Sequence, residues 1–201
     1  MAPVTYDPTM VRDALARHYV AHGLPSDGGE GERWFHVHIG SVTVHLPNPP
    51  ARRRALFFHD VNHVLTGYNT AFSDGEMAIA GFEVGSGCGP FWVAWYLNLS
   101  MVALGLVVCP RAVFRAFVRG RRASSLYHRR EDRATLSAMS VGELRALLGL
   151  DRAPAAAGVG DRVRFVAWSI AAGVMILAPV VAALMALRGV WQTPGQVGPS
   201  S

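Results

Sequence analysis

Apolar positions along this chain alternate between a helical period and a period of two, and the switches predict a mainly helical fold interrupted by one hairpin. Asp7-Pro8 predicts a helix start, with Asp7 as N-cap and Pro8 in the first turn; the helix runs to about His22 and stops at Gly23-Leu24-Pro25. From Phe35 to Leu46 the period becomes two. A tight turn at Gly40-Ser41 would pair Ile39 with Val42, Val37 with Val44 and Phe35 with Leu46 on one apolar face. The opposite face gathers His36, His38 and His45; three histidines there could bind a metal, yet half-exposed strands collect His and Thr without one. Helical spacing returns over Arg52–Gly67 and again from about Asp74 to Glu83, the second start signalled by Ser73-Asp74 followed by Glu76.

Two later stretches are long and uncharged. Phe91 to Cys109 gives 19 such residues between two prolines, but Asn98 and Ser100 interrupt it and crossing a bilayer would split the fold, so a buried or interfacial helix is expected. Arg111, Arg115, Arg119 and Arg122 follow at helical spacing opposite Val113, Phe114, Phe117 and Val118, the pattern of a basic amphipathic helix suited to anionic headgroups or, equally, of a solvated face over an ordinary core. Ser140-Val-Gly-Glu143 reads as a capping box opening a short helix that ends at Gly149. Phe165 to Leu187 offers 23 uncharged residues, long enough to span a bilayer as a helix of about 35 Å. Arg162 and Arg164 precede this segment and only Arg188 follows it, so the positive-inside rule leaves the main domain on the cytoplasmic face of the cell membrane. The fold expected is a helical bundle with a small N-terminal β-hairpin and a C-terminal transmembrane helix. It divides into a helical metal-binding domain at 1–151 with its hairpin at 35–46, a linker at 152–164, a membrane helix at 165–187 and a disordered tail at 188–201.

Composition sharpens this picture. Hydrophobic residues make up 51% of the 201 and charged residues 16%, which excludes a disordered chain and favours contact with lipid. All 19 basic residues are arginine, and they are unevenly spread: residues 111–164 hold twelve against five acids. That half seeks an anionic partner, and lipid headgroups or an anionic substrate suit the apolar composition better than nucleic acid. The two cysteines, Cys88 and Cys109, form neither a disulfide framework nor a metal-ligand spacing.

Candidate chemistry lies at His59-Asp60-Val61-Asn62-His63. Residues at i and i+4 share a helix face, so His59 and His63 project together with Asp60 on their flank. After a short loop the next helix presents Glu76, and Glu83 seven residues on. Two antiparallel helices would turn these acids back toward the histidines, giving a site of His59, Asp60, His63 and Glu76 around one divalent cation, with Glu83 supporting the ligands or joining them as an extra one. The surrounding Leu56, Phe57, Phe58, Val61, Val64 and Leu65 predict a buried helix, where unpaired His and Asp would be costly.

His-Asp-x-x-His, the loop opening at Gly67, Gly75-Glu76 and an apolar helix ending in Phe82-Glu83 resemble the coenzyme Q biosynthesis protein four family, as does Glu143-Leu-Arg145 with Leu147-Leu148-Gly149-Leu150. The resemblance covers about residues 45–151. It implies an all-helical protein on a membrane surface that binds a divalent metal, zinc or else iron, through His59, Asp60, His63 and Glu76. It also implies a prenylated aromatic substrate whose ring carboxylate at C1 is replaced by hydroxyl, and association with other quinone-biosynthesis proteins or a homodimer. The alternatives are a non-catalytic lipid-binding scaffold of the same fold and a membrane di-iron hydroxylase or desaturase.

Overall fold

The computed structural model describes residues 7–39, 42–71, 75–129, 131–152 and 156–192, with the backbone alone of 37–39, 42 and 178–192. Its elements follow in the order α1 (Val11–Ala21), β1 (Trp34–Ile39), β2 (Val42–Pro47), α2 (Pro50–Thr66), α3 (Met77–Ser86), α4 (Trp92–Val108), α5 (Pro110–Gly120), a 3-10 turn at Leu126–His128, α6 (Arg133–Ala138), α7 (Val141–Leu148) and α8 (Val159–Gln192). The protein is mainly helical with a two-stranded antiparallel sheet.

The hairpin keeps the register its alternation predicts, with Phe35 opposite Leu46, Val37 opposite Val44 and Ile39 opposite Val42; the turn at 40–41 lies outside the described residues. His36 and His45 stand opposite each other with ring centroids 4.4 Å apart, but among the described residues they join no third metal-binding side chain. Helix α1 begins at Val11 rather than at Pro8. The reason lies in the chain before it: Thr9 and Asp7 carbonyls accept from Val141 and Gly142, and Val11 N–H donates to Met139. That segment is spent on an extended pairing with residues 139–142, and Asp7 caps only Thr9.

Helix α2 opens on Pro50 in its first turn and closes at Gly67, whose φ of 73° supplies the left-handed C-cap. It is flanked by α1 and α7 on one side, where Val11, Leu15, Phe57, Val61, Leu65 and Leu144 form a common core. Helix α3 lies almost backbone to backbone against α5. A Cβ on Gly81 would approach the Val113 carbonyl oxygen to 2.6 Å and one on Gly85 the Phe117 carbonyl oxygen to 2.3 Å, so small residues at this four-residue spacing fix the helix separation. Helix α7 carries the predicted capping box between Ser140 and Glu143 and the left-handed cap at Gly149.

Two expectations are corrected here. The helix expected to span a membrane over 165–187 is part of α8, which starts at Val159, includes Asp161, Arg162 and Arg164, and packs on the bundle through Phe165, Trp168, Ala172 and Met175. Phe165 packs against Phe114 and Phe117, and Trp168 stacks on Trp95 at 4.8 Å. Among the described residues no helix is long and apolar enough to cross a membrane. The backbone of α8 continues to Gln192, so it takes in part of the expected tail; 193–201 lie outside the described residues. Helix α4 covers the uncharged run at 91–109 and buries one face, with Leu99 and Val102 in a core shared with α3, α5 and α8.

The second correction concerns the arginine face. Arg119 donates to the Thr66 carbonyl at 2.9 Å, and Arg145 donates to that of Leu65, so both satisfy carbonyls left orphaned at the end of α2. Arg122, past the end of α5, pairs with Asp161 at 3.1 Å and donates to the Ala156 carbonyl. Arg111 and Arg115 alone of the four stay exposed.

Candidate metal centre

Helix α2 carries His59 and His63 one turn apart, and the entry to α3 carries Glu76. That entry is a wide turn: the N–H groups of both Gly75 and Glu76 donate to the Ala71 carbonyl at 2.9 Å. Gly75 allows it, because a Cβ there would fall 2.0 Å from the Asn69 carbonyl oxygen. The predicted start signal at Ser73-Asp74 lies outside the described residues.

The three side chains converge. His59 Nε2 lies 3.2 Å from His63 Nε2 and 3.5 Å from Glu76 Oε2, and His63 Nε2 lies 3.4 Å from Glu76 Oε1. One ligand atom from each lies within 4.8 Å of the others, so this group could hold a metal ion. The His63 ring is almost fully buried, at 1% exposure, whereas His59 and Glu76 keep 26% and 28%. The cluster is closed from the core side and open on the other.

The tautomers follow from the outer bonds. His63 Nδ1 faces the Tyr68 carbonyl at 2.9 Å, and a carbonyl only accepts, so Nδ1 carries the hydrogen. His59 Nδ1 faces Oε1 of Glu83 at 3.2 Å. Glu83 has no exposed surface, and its two oxygens also accept from Asn62 at 2.8 Å, Asn98 at 2.6 Å and the Tyr127 hydroxyl at 2.9 Å. Burial pushes its carboxyl up, but the His59 ring and the bonds from His59, Asn62 and Asn98 outweigh that and hold it below the usual range. Glu83 is thus an ionised partner of a ligand, its two oxygens already accepting from protein donors, and it falls outside the group of side chains placed to hold an ion.

With hydrogens on both Nδ1 atoms, the neutral histidines aim lone pairs at each other and at an anionic carboxylate. A proton or a cation must sit among them. His59 responds accordingly: burial pulls its pKa down, yet Glu83 and Glu76 drive it well above its ordinary value. Burial raises Glu76, but bonds from both histidines and their charge carry it far below the carboxylate range. A tetrahedral zinc with ligand bonds of about 2.1 Å needs donor atoms about 3.4 Å apart, and the three observed separations bracket that value. The residues fit a divalent ion.

No family model, curated protein or solved structure matches this chain.

Asp60 is the expected ligand that the structure does not bring in. Its Oδ2 accepts from the Tyr19 hydroxyl at 2.9 Å, and a Cβ on Gly28 would lie 2.6 Å from the same oxygen. One residue is about 100° of helix turn, so Asp60 leaves the His59 face and points under α1. Burial raises its pKa to about 6 against the pull of His59, Tyr19, His63 and Arg52.

Several neighbours had little or no sequence signal. Asn98 stood out as a polar break in an apolar helix, and Asn62 sits inside the His-Asp motif, but Tyr127 and His18 had nothing to mark them. His18 of α1 stacks on His63 with centroids 5.5 Å apart and planes at 28°. Burial, then His63, His22 and His59, lower its pKa to about 4, with Glu76 opposing.

Proposed function

We propose that this protein is a divalent-metal-dependent, membrane-associated enzyme of ubiquinone or related prenylquinone biosynthesis, acting at the C1 carboxylate of a prenylated hydroxybenzoate. The observation that carries the reading is the convergence of His59, His63 and Glu76 with one side open. Three protein donors and an accessible position are the arrangement of catalytic rather than structural zinc sites. The substrate class rests on the motif resemblance.

When bound, the metal would supply Lewis acidity beside the ring carboxylate. The chain's own part is to hold that ion with His59, His63 and Glu76 while Glu83 fixes the ring of His59 and Tyr68 that of His63. Replacing the ring carboxylate by hydroxyl is a two-electron oxidation, ArCO2− + H2O + O2 + H+ → ArOH + CO2 + H2O2 with dioxygen as the oxidant, and it would need a redox-active ion such as iron held by His59, His63 and Glu76, whereas zinc there would supply Lewis acidity alone. Exposed Arg111 and Arg115 follow directly on exposed Val107 and Val108, a pairing suited to an anionic leaflet.

A second reading, a lipid-binding scaffold without turnover, draws on Val163, Val166, Ile170, Val174 and Leu177, exposed along one stripe of α8. The two separate on His63→Ala assayed with a prenylated hydroxybenzoate. The enzyme reading expects conversion to vanish while the variant stays folded and bound to anionic vesicles. Wild-type protein that binds metal and vesicles but never converts the substrate supports the scaffold. Elemental analysis of wild type against His59→Ala decides the metal, and metal-free wild type would sink both the centre and the enzyme.

A further inference from the structure

His18 belongs to no motif, yet it stands at the centre. Its ring lies against His63, the most buried ligand, and the charges it senses most after burial include His63 and His59, with Glu76 opposing. It falls outside the group whose donor atoms lie within 4.8 Å of one another, so it is not a fourth ligand in this geometry. Neither ring nitrogen has a hydrogen-bond partner among the described residues, although the side chain is half-buried; its backbone carbonyl faces Nδ1 of His22 at 2.8 Å. Neither nitrogen is sealed from solvent, since Arg121 Nε is the one buried side-chain nitrogen or oxygen among the described residues without a partner, so the ring keeps a nitrogen free for a ligand that enters beside His63.

The position is held rigidly. Tyr19 next in sequence is tied through its hydroxyl to Asp60 at 2.9 Å, and Leu15 one turn earlier is in the core at 5% exposure. On the other flank the His22 ring lies 4.4 Å from that of His18. Asp60, the motif acid, therefore has a part after all: through Tyr19 it fastens α1 and with it the His18 ring over α2.

We propose that His18 contacts the oxygen ligand on the open side of the centre, giving or receiving a hydrogen bond there without binding the metal. This rests on the metal reading above. An imidazole offers one N–H and one lone pair, so it can serve a carboxylate oxygen or a bound hydroxyl. It makes His18 a substrate-contacting residue supplied by a helix that the His-Asp motif does not include.

The test uses the full chain loaded with cobalt(II), whose visible band reports both metal binding and ligand exchange, and acetate as the oxygen-ligand probe. Wild type should take up one cobalt, and acetate should shift the band saturably. In His18→Ala the acetate affinity should fall at least tenfold while the cobalt affinity stays within tenfold, and His18→Gln should recover most of the acetate affinity. Unchanged acetate affinity in His18→Ala, or no acetate response in wild type, overturns the proposal and leaves the metal reading standing. A loss of cobalt affinity beyond tenfold overturns it in another way, by making His18 a ligand. Wild type that takes up no cobalt removes the centre and this inference with it. His18→Leu, close in volume and without a polar atom, keeps the test decisive if the alanine variant does not fold: it too should lose acetate affinity at least tenfold, and unchanged affinity overturns the proposal.

Discussion

His59 Nδ1 lies 3.2 Å from Oε1 of Glu83, a carboxylate without exposed surface whose other acceptor positions are filled by Asn62, Asn98 and Tyr127. Rotating the His59 ring would take one of four donors from a buried anion, which favours the orientation with Nε2 toward His63 and Glu76. A charge in the core thereby sets the direction of a donor at the surface. Glu83→Gln puts an NH2 group where one of four donors now points. It should cost about 2–4 kcal/mol of stability, read from urea unfolding, and weaken metal binding about 10–100-fold, read by calorimetry. A variant with wild-type stability and affinity would show that the network does neither.

Asp60 and His63 give opposite expectations. His63→Ala should lower bound metal from one ion per chain to none, whereas Asp60→Asn should retain the ion, because Asp60 points to Tyr19. Loss of metal in Asp60→Asn, measured by elemental analysis of a folded sample, would place Asp60 among the ligands.

Protons and metal compete for His59. Its folded pKa is raised by Glu83 and Glu76 despite burial, so its contribution to metal-free stability is present below about 6.5 and is lost as pH rises through the folded value. Metal binding has the opposite trend: below the folded pKa each ion displaces a proton, and affinity should rise about tenfold per pH unit before levelling off. Calorimetric titrations across pH 5.5 to 8.5, a range of about three units around neutrality, would reveal a flat profile if His59 were not a ligand.

Gly75 and Gly85 are both closed to a Cβ, at 2.0 Å from the Asn69 carbonyl oxygen and 2.3 Å from that of Phe117. Their consequences should differ. Gly75→Ala should displace Glu76 and weaken metal binding at least tenfold, while Gly85→Ala should cost about 2 kcal/mol or more by forcing α3 from α5. Thermal unfolding and metal titration of the pair would expose the opposite ranking if the entry turn were unimportant.

Arg119 and the pair Arg111 and Arg115 separate structure from surface. Arg119→Met should lose about 1–2 kcal/mol with the hydrogen bond to Thr66 and the guanidinium stacking over Tyr68. The double change Arg111→Gln with Arg115→Gln should leave stability unaltered and weaken cosedimentation with anionic vesicles, more so at low salt. Equal vesicle binding by wild type and the double variant would remove these residues from any lipid contact.

Local rules made much of the molecule readable in advance. Period and punctuation gave the hairpin register from Phe35 to Leu46, the α2 stop at Gly67 and the Ser140–Glu143 cap, because each depends on residues within a few positions of one another. The i, i+4 spacing likewise placed His59 and His63 on one face, and the acid of the next helix followed. What needed the tertiary structure is everything set by a partner far along the chain. Asp60 belongs to Tyr19, 41 residues away, and Arg119 to Thr66, 53 away. Helix α8 lies on α4 because Trp95 and Trp168 stack, a preference that an apolar run read alone cannot distinguish from a taste for lipid. Charge and apolarity along a sequence state what a side chain needs; only packing decides whether solvent, lipid, a metal or another residue provides it.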